Sequence, residues 1–493
     1  MIDTNDPRER LVRGAECSLI AKVTEAMSTR AENTDTTVVT SQRQLVEWVA
    51  TGSKPPEQWR IGTEHEKILY ATDTRAPVYY RGPQGVRALL EGLASRFGWQ
   101  PVFEADAIIA LRAPAGAPPA SISLEPGGQF ELSGAPFETV HDVAAETANH
   151  LAEVAEIGTA LGIGMLGIGF DPLHRLADMP TMPKARYAIM KAYMPKVGDL
   201  GLDMMHRTAT IQVNLDFSSE TDMVKKLQVS LALQPIAQAL FASSPFIEGQ
   251  PSGFKTMRGE VWRRTDPARA GNLPFAFAPG MGFERYVDYA LDVPMYFVFR
   301  DGRYIDTAGA SFRDFMSGRL AHNSADPRLH GLVATLDDWA DHLTTLFPDV
   351  RLKRFLEMRG ADAGPAEDIV ALPAFWTGLL YDSSTLDAAF DLVKDWSVEE
   401  RHALRDQVPR QALATPFRAG TVLDVAREVV AMARHGLVAR GRQDASGRDE
   451  AFALAPLEAI VADGRTRADD WLDRFHSVWE GDIARGVADM RVA

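Results

Sequence analysis

The sequence predicts an α+β fold, on three observations. Several segments alternate polar and apolar residues with the period of two that a strand imposes. Others repeat their apolar residues at helical spacing, and from about residue 385 onward the pattern is helical throughout. This gives an extension over residues 1–39 expected to be disordered or weakly ordered, an α+β core over 40–384, and a helical region over 385–493 packed on that core. Met27 is an alternative natural start within the extension.

Taken in order, Ser41 followed by Leu45, Val46 and Val49 has the spacing of a short helix, residues 59–70 alternate as a strand, and residues 83–97 return to a helical pattern. A Pro/Gly/Ala loop lies between Arg112 and Ala120. Beyond it Ser121 to Leu132 reads as strand interrupted at Gly127-Gly128 by a turn or bulge. Residues 138–161 form a long amphipathic helix. The charge-free run Gly158 to Phe170 is well short of the roughly 18 residues of a membrane helix and reads as a buried strand with its approach. Thr208 to Phe217 alternates strictly, Ser219 caps the helix that follows, and Pro235 is expected to kink or end that helix. Pro294 to Asp306 reads as a hairpin turning at Asp301-Gly302. In the C-terminal region a capping box is expected at Ser397 and Glu400, and Gly436 is expected to cap the helical run Val422 to His435.

Composition narrows the function. The 493 residues are 46% hydrophobic and 24% charged, as in ordinary globular proteins. The net charge of −15 comes from 52 basic and 67 acidic residues without a long run of either sign, so neither nucleic acid nor a membrane surface is expected as a partner. One cysteine, Cys17, excludes an intrachain disulfide and a thiolate zinc cluster, and the start lacks the basic and apolar regions of a signal peptide. Both point to a cytoplasmic protein.

The chemistry is expected on the polar faces of four strands, where side chains at i and i+2 project together. Glu64 and Glu66 share a face, as do Gln129 and Glu131 with Glu125 just upstream, then Thr210, Gln212, Asn214 and Asp216, and finally Glu357 and Arg359. One such strand alone reads most simply as a solvated sheet face. Four together point to a common cavity. Glutamates gathered there repel one another unless cations neutralise them, and an all-oxygen donor set suits Mg²⁺ and, through it, a polyphosphate ligand. Competing motifs fail. His65-Glu66 begins like a zinc-protease motif, but position 69 is Leu and the segment is a strand. Gly162 to Gly167 matches a dinucleotide glycine pattern with helix and strand in the reverse order, and neither a P-loop nor a hydrolase elbow is present.

The same segments resemble the plant-type glutamate-cysteine ligases, which also occur in proteobacteria. The resemblance runs from about residue 40 to the C-terminal helices. Its carriers are Trp59-Arg60-Ile61-Gly62-Thr63-Glu64-His65-Glu66-Lys67, Leu124-Glu125-Pro126-Gly127-Gly128-Gln129-Phe130-Glu131-Leu132, Arg207-Thr208-Ala209-Thr210-Ile211-Gln212-Val213-Asn214 and Phe355-Leu356-Glu357-Met358-Arg359-Gly360-Ala361-Asp362. The resemblance implies a saddle-shaped, mainly antiparallel sheet backed by helices, similar to the glutamine synthetase catalytic fold. It also implies formation of γ-glutamylcysteine from L-glutamate, L-cysteine and ATP through a γ-glutamyl phosphate, the first step of glutathione biosynthesis. The same glutamyl phosphate step with a different amine acceptor is the alternative.

Residue by residue, the resemblance implies that Glu64, Glu66, Glu125, Glu131 and Glu357 ligate two or three Mg²⁺ ions. It implies that Gln212, Asn214 and Arg359 contact the nucleotide, that Arg359 and Arg258 act in catalysis, that Arg186 and Arg258 hold substrate carboxylates, and that Tyr296 lines the cysteine pocket. For Arg186 and Arg258 a structural salt bridge, and for Tyr296 a core position, remain the alternatives. Plant members form regulatory disulfides, one from the strand position occupied here by Ala209; a chain with Cys17 alone cannot form them. A monomer or weak homodimer is expected.

Overall fold

The computed structural model describes residues 35–320 and 326–493. The expected extension, with Cys17 and Met27, therefore lies outside the described residues except for 35–39, where Val39 is buried and its amide donates to Ala334 O at 2.8 Å.

A nine-stranded sheet organises the chain. Its central strand β1 (Ile61–Ala71) pairs along its first half with β7 (Thr210–Leu215) and β5 (Phe130–Ser133), and along its second half with β6 (Ile163–Leu166). Beyond β5 follow β4 (Ser121–Leu124), β3 (Ala107–Arg112) and β2 (Gln100–Glu104); beyond β7 follow β9 (Leu356–Asp362) and β8 (Val350–Leu352). Every pairing in this sheet is antiparallel, as the alternating sequences require. The large antiparallel sheet backed by helices is thus the architecture expected, while β2 and β3 are strands that the sequence reading passed over.

One face of the sheet is mainly apolar, with Lys67 of β1 buried in it between His65 and His150. Ile122, Phe130, Leu132, Ile211, Val213, Leu215 and Met358 are buried there against helices α1 (Val140–Leu161), α2 (Glu220–Leu240) and α3 (Ala366–Leu380). The cap expected at Ser219 is present, and Thr139 supplies a further one. Thr139 accepts from Asp142 N and Ser219 accepts from Asp222 N, each meeting an otherwise orphaned amide of the first turn. Ser397 and Glu400 form the expected capping box, and Asp301 and Gly302 take positive φ at the tip of the 297–306 hairpin.

One helix expectation is narrowed and another is corrected. α2 does not end at Pro235 but continues to Leu240, because burial of almost the whole second half of the helix outweighs the roughly 3 kcal/mol cost of a missing amide. Nor does Gly436 cap a helix: α4 (Val422–Arg440) runs past it and is capped by Gly441 at φ 64°. Gly436 instead sits where α4 crosses α3 at Gly378, and a Cβ on either glycine would collide with backbone carbonyl oxygen of the opposite helix. The C-terminal helices share one core with the sheet. Among the described residues no helix is long and apolar enough to cross a membrane.

Candidate active site

Strand register assembles the polar face. Glu66 of β1 lies opposite Glu131 of β5, Glu64 opposite Gln212 of β7, and Asn214 of β7 opposite Glu357 of β9. Glu125 enters from the β4–β5 turn, where Gly128 at φ 91° lets its amide reach Glu125 O at 2.9 Å and where a Cβ on Gly127 would strike His206 O. The carboxylates are individually braced. Asn214 Nδ2 donates to Glu64 Oε1 at 3.0 Å, Ser123 Oγ to Glu131 Oε2 at 2.7 Å, and Thr210 N to Glu66 Oε2 at 3.0 Å. Gln129 Nε2 donates to Met205 O and Thr208 O, tying the turn to the backbone before β7.

Burial and mutual repulsion hold these acids above the usual carboxylate range. For Glu64 burial acts first, then the charges of Glu357 and Glu131; for Glu66 burial acts first, then Glu131 and Glu125; Glu131 is raised by burial and by Glu125. A cluster so arranged is short of positive charge. Among the described residues no three acidic or histidine side chains converge tightly enough to hold one ion by themselves. Mg²⁺, however, is ordinarily bound by one or two carboxylates, with water and phosphate oxygens completing its shell. The opposed pair Glu66 and Glu131, and Glu64 beside Glu131, fit that requirement in donor chemistry.

Glu357 differs. Although burial would raise it, Arg351, Lys353 and Arg359 hold its carboxyl well below the usual range. Arg351 grips it with two hydrogen bonds of 2.9 and 2.8 Å, Lys353 lies 3.5 Å away, and Arg359 pairs with it. The register of β9 against β7 shifts between Met358 and Ala361, so Arg359 sits in a bulge that directs its guanidinium to Gln212 Oε1 at 2.5 Å. Arg258, 2% exposed, donates to Arg359 O at 2.8 Å and leaves its Nε without an acceptor; burial lowers its pKa to about 10, against the pull of Asp362 and Glu66. Glu357, Arg359, Arg258 and Gln212 are therefore brought together as a cation-rich corner.

At the opposite edge Arg186 lies over the Tyr187 ring, 5.4 Å from its centroid, within electrostatic reach of Glu125. Tyr296 is not joined to the carboxylates by any hydrogen bond among the described residues. It packs in a separate cluster with Tyr193 and Met194, its hydroxyl 3.6 Å from Met194 Sδ and its ring 3.8 Å below Arg269. Sequence reasoning missed Arg351 and Lys353, whose i, i+2 spacing was a usable signal, and Lys184, which lies on an irregular segment that offers none.

Comparison with known proteins places this geometry. Residues 60–489 match the model of Glutamate-cysteine ligase family 2 (GCS2). The chloroplastic glutamate-cysteine ligase A of Oryza sativa subsp. indica is 52% identical over 443 residues, covering 90% of this chain and 86% of that protein. The chloroplastic enzyme of Arabidopsis thaliana is 51% identical over 439 residues, covering 89% and 80%. In fold, the chain is similar to the crystal structure of a glutamate-cysteine ligase from Francisella tularensis in complex with AMP, with a TM-score of 0.51 at 12% identity over 87% of this chain and 88% of that one. These relatives overturn the expected cytoplasmic location, since the plant enzymes are chloroplastic. A single cysteine shows only that no intrachain disulfide is needed, and that holds in any reducing compartment.

Proposed function

The chain belongs to glutamate-cysteine ligase family 2, and from that premise we propose that the carboxylate-lined face of its sheet joins L-glutamate to L-cysteine at the expense of ATP. It is a glutamate-cysteine ligase, an ATP-dependent enzyme of the first step of glutathione biosynthesis. The observation that carries the site is the register pairing of Glu66 with Glu131 beside Glu64, buried acids raised by one another and flanked by a cationic corner.

A carboxylate is a poor electrophile, so the reaction needs activation. In the proposed sequence a γ-carboxylate oxygen of glutamate attacks the γ-phosphorus of ATP and ADP leaves; the cysteine amine then attacks the acyl carbon, phosphate leaves with the shared oxygen, and the amine gives up a proton. Glu64, Glu66, Glu125 and Glu131 would hold two or three Mg²⁺ ions, with Glu357 joining them once its cations turn toward phosphate. Bound Mg²⁺ would neutralise the phosphate oxygens and the charge that develops as the phosphoryl group moves. Arg359, aimed by the β9 bulge, meets the transferred phosphoryl group, while Gln212 and Asn214 contact the nucleotide. Arg186 and Arg258 hold substrate carboxylates, and Tyr296 closes the cysteine pocket. Residues 40–384 carry these groups and 385–493 buttress them.

Incubation with glutamate, cysteine and Mg-ATP should yield γ-glutamylcysteine and ADP in equal amounts; well-folded protein that yields neither refutes the reading. A different acceptor would show as an amine with higher kcat/KM than cysteine.

A further inference from the structure

Lys184 is a buried cation that the reading above leaves without work. Its side chain is 5% exposed and its Nζ has no hydrogen-bond acceptor. An isolated buried ammonium is costly, so an anion is expected to meet it in the working enzyme. Its position is set with care. Met182 N donates to Pro126 O at 2.9 Å and the Tyr187 hydroxyl to Leu124 O at 2.5 Å, so the segment 182–187 is fastened to the turn that carries Glu125. Lys184 Nζ and the Arg186 guanidinium both lie over the Tyr187 ring, 5.7 and 5.4 Å from its centroid. The acids that act on Lys184 are Glu125, Glu131 and Glu104. Of these, Glu131 is engaged by Ser123 and by Glu64, and Glu104 accepts from Ala185 N at 2.7 Å.

Once divalent cations neutralise Glu125 and Glu131, as the proposed function has it, Glu104 is the one of these acids left to offset the Lys184 ammonium, and no hydrogen-bond acceptor meets its Nζ. We propose that Lys184, with Arg186, binds the α-carboxylate of an amino-acid substrate. A nucleotide phosphate is the poorer match. The Arg351, Lys353 and Arg359 corner lies on β8 and β9, and the order β9-β7-β1-β5-β4 separates it from the β4–β5 turn by three to four strand spacings, roughly 14–19 Å. One triphosphate does not engage both ends, and a point charge beside a guanidinium fork suits a singly charged carboxylate.

The test is a kinetic comparison of wild type with K184M, K184Q and K184R, each of the three substrates varied in turn with the other two saturating. The expected result is a rise of about tenfold or more in KM for glutamate or for cysteine in K184M and K184Q, with the KM for ATP unchanged and partial recovery in K184R. Analogues assign the source: 4-aminobutyrate replaces glutamate and cysteamine replaces cysteine, and the penalty for whichever lost carboxylate Lys184 binds should shrink in the variants. A rise in the KM for ATP alone, or unchanged KM values for all three substrates, overturns the proposal. Wild-type protein without ligase activity would instead overturn the functional reading on which it rests. If K184M does not fold, K184Q and K184R carry the same comparison.

Discussion

Glu64 and Glu66 stand at the centre of the residue-scale account because they sit on one face of β1 within reach of every other acid of the site. Glu64→Gln and Glu66→Gln should each lower kcat/KM by about 100-fold or more and weaken the Mg²⁺ dependence of turnover, with little loss of thermal stability. Turnover at the wild-type level in either variant would remove these carboxylates from the mechanism. A second residue has a pH signature away from the site. Burial raises the pKa of Glu146 to about 7 even though its Oε1 accepts from Ala135 N at 2.9 Å. Its folded pKa exceeds the unfolded 4.5, so the protonated form favours the fold, and that stability is lost as pH rises from about 4.5 through about 7. Partial exposure screens the effect, leaving roughly 1–2 kcal/mol. Denaturant titrations of E146Q should fall less steeply between pH 5 and 8 than those of wild type; parallel curves would refute the assignment. The glutamates were legible in the sequence because a strand's period of two displays them. Lys184 was not, because an irregular segment has no period from which to read where a side chain points.

Elements were legible where local chemistry decides and less so where packing decides. The caps at Thr139, Ser219 and Ser397 satisfy amides a few residues away, and such short-range bonds are written in neighbouring residues. Pro235 and Gly436 mark helix ends in most local contexts, yet both lie inside helices here because long-range burial overrides propensity. The glycines at the α3–α4 crossing make that explicit. Gly378→Ala and Gly436→Ala each place a methyl group against a backbone carbonyl of the opposite helix and should each cost about 1–3 kcal/mol in chemical denaturation. A change within experimental error would mean that the two helices separate without cost. The bulge in β9 belongs to the same class: it is invisible in the alternation of Glu357 and Arg359, yet it sends Arg359 toward Gln212.

At the scale of the whole molecule, the sheet is a partition of charge. Acids concentrate on β1, β5 and the β4–β5 turn, and guanidinium groups on β8 and β9, with a helix-packed apolar face behind both. This division suits a reaction in which a phosphoryl group leaves one anion for another. Subcellular location was not legible, since neither charge nor cysteine content distinguishes one reducing compartment from another. Ligation on this face through a γ-glutamyl phosphate is tested by turnover of L-glutamate labelled with ¹⁸O in the γ-carboxylate. One labelled oxygen is expected in each inorganic phosphate released, matched to γ-glutamylcysteine formed. Unlabelled phosphate released alongside γ-glutamylcysteine would contradict it.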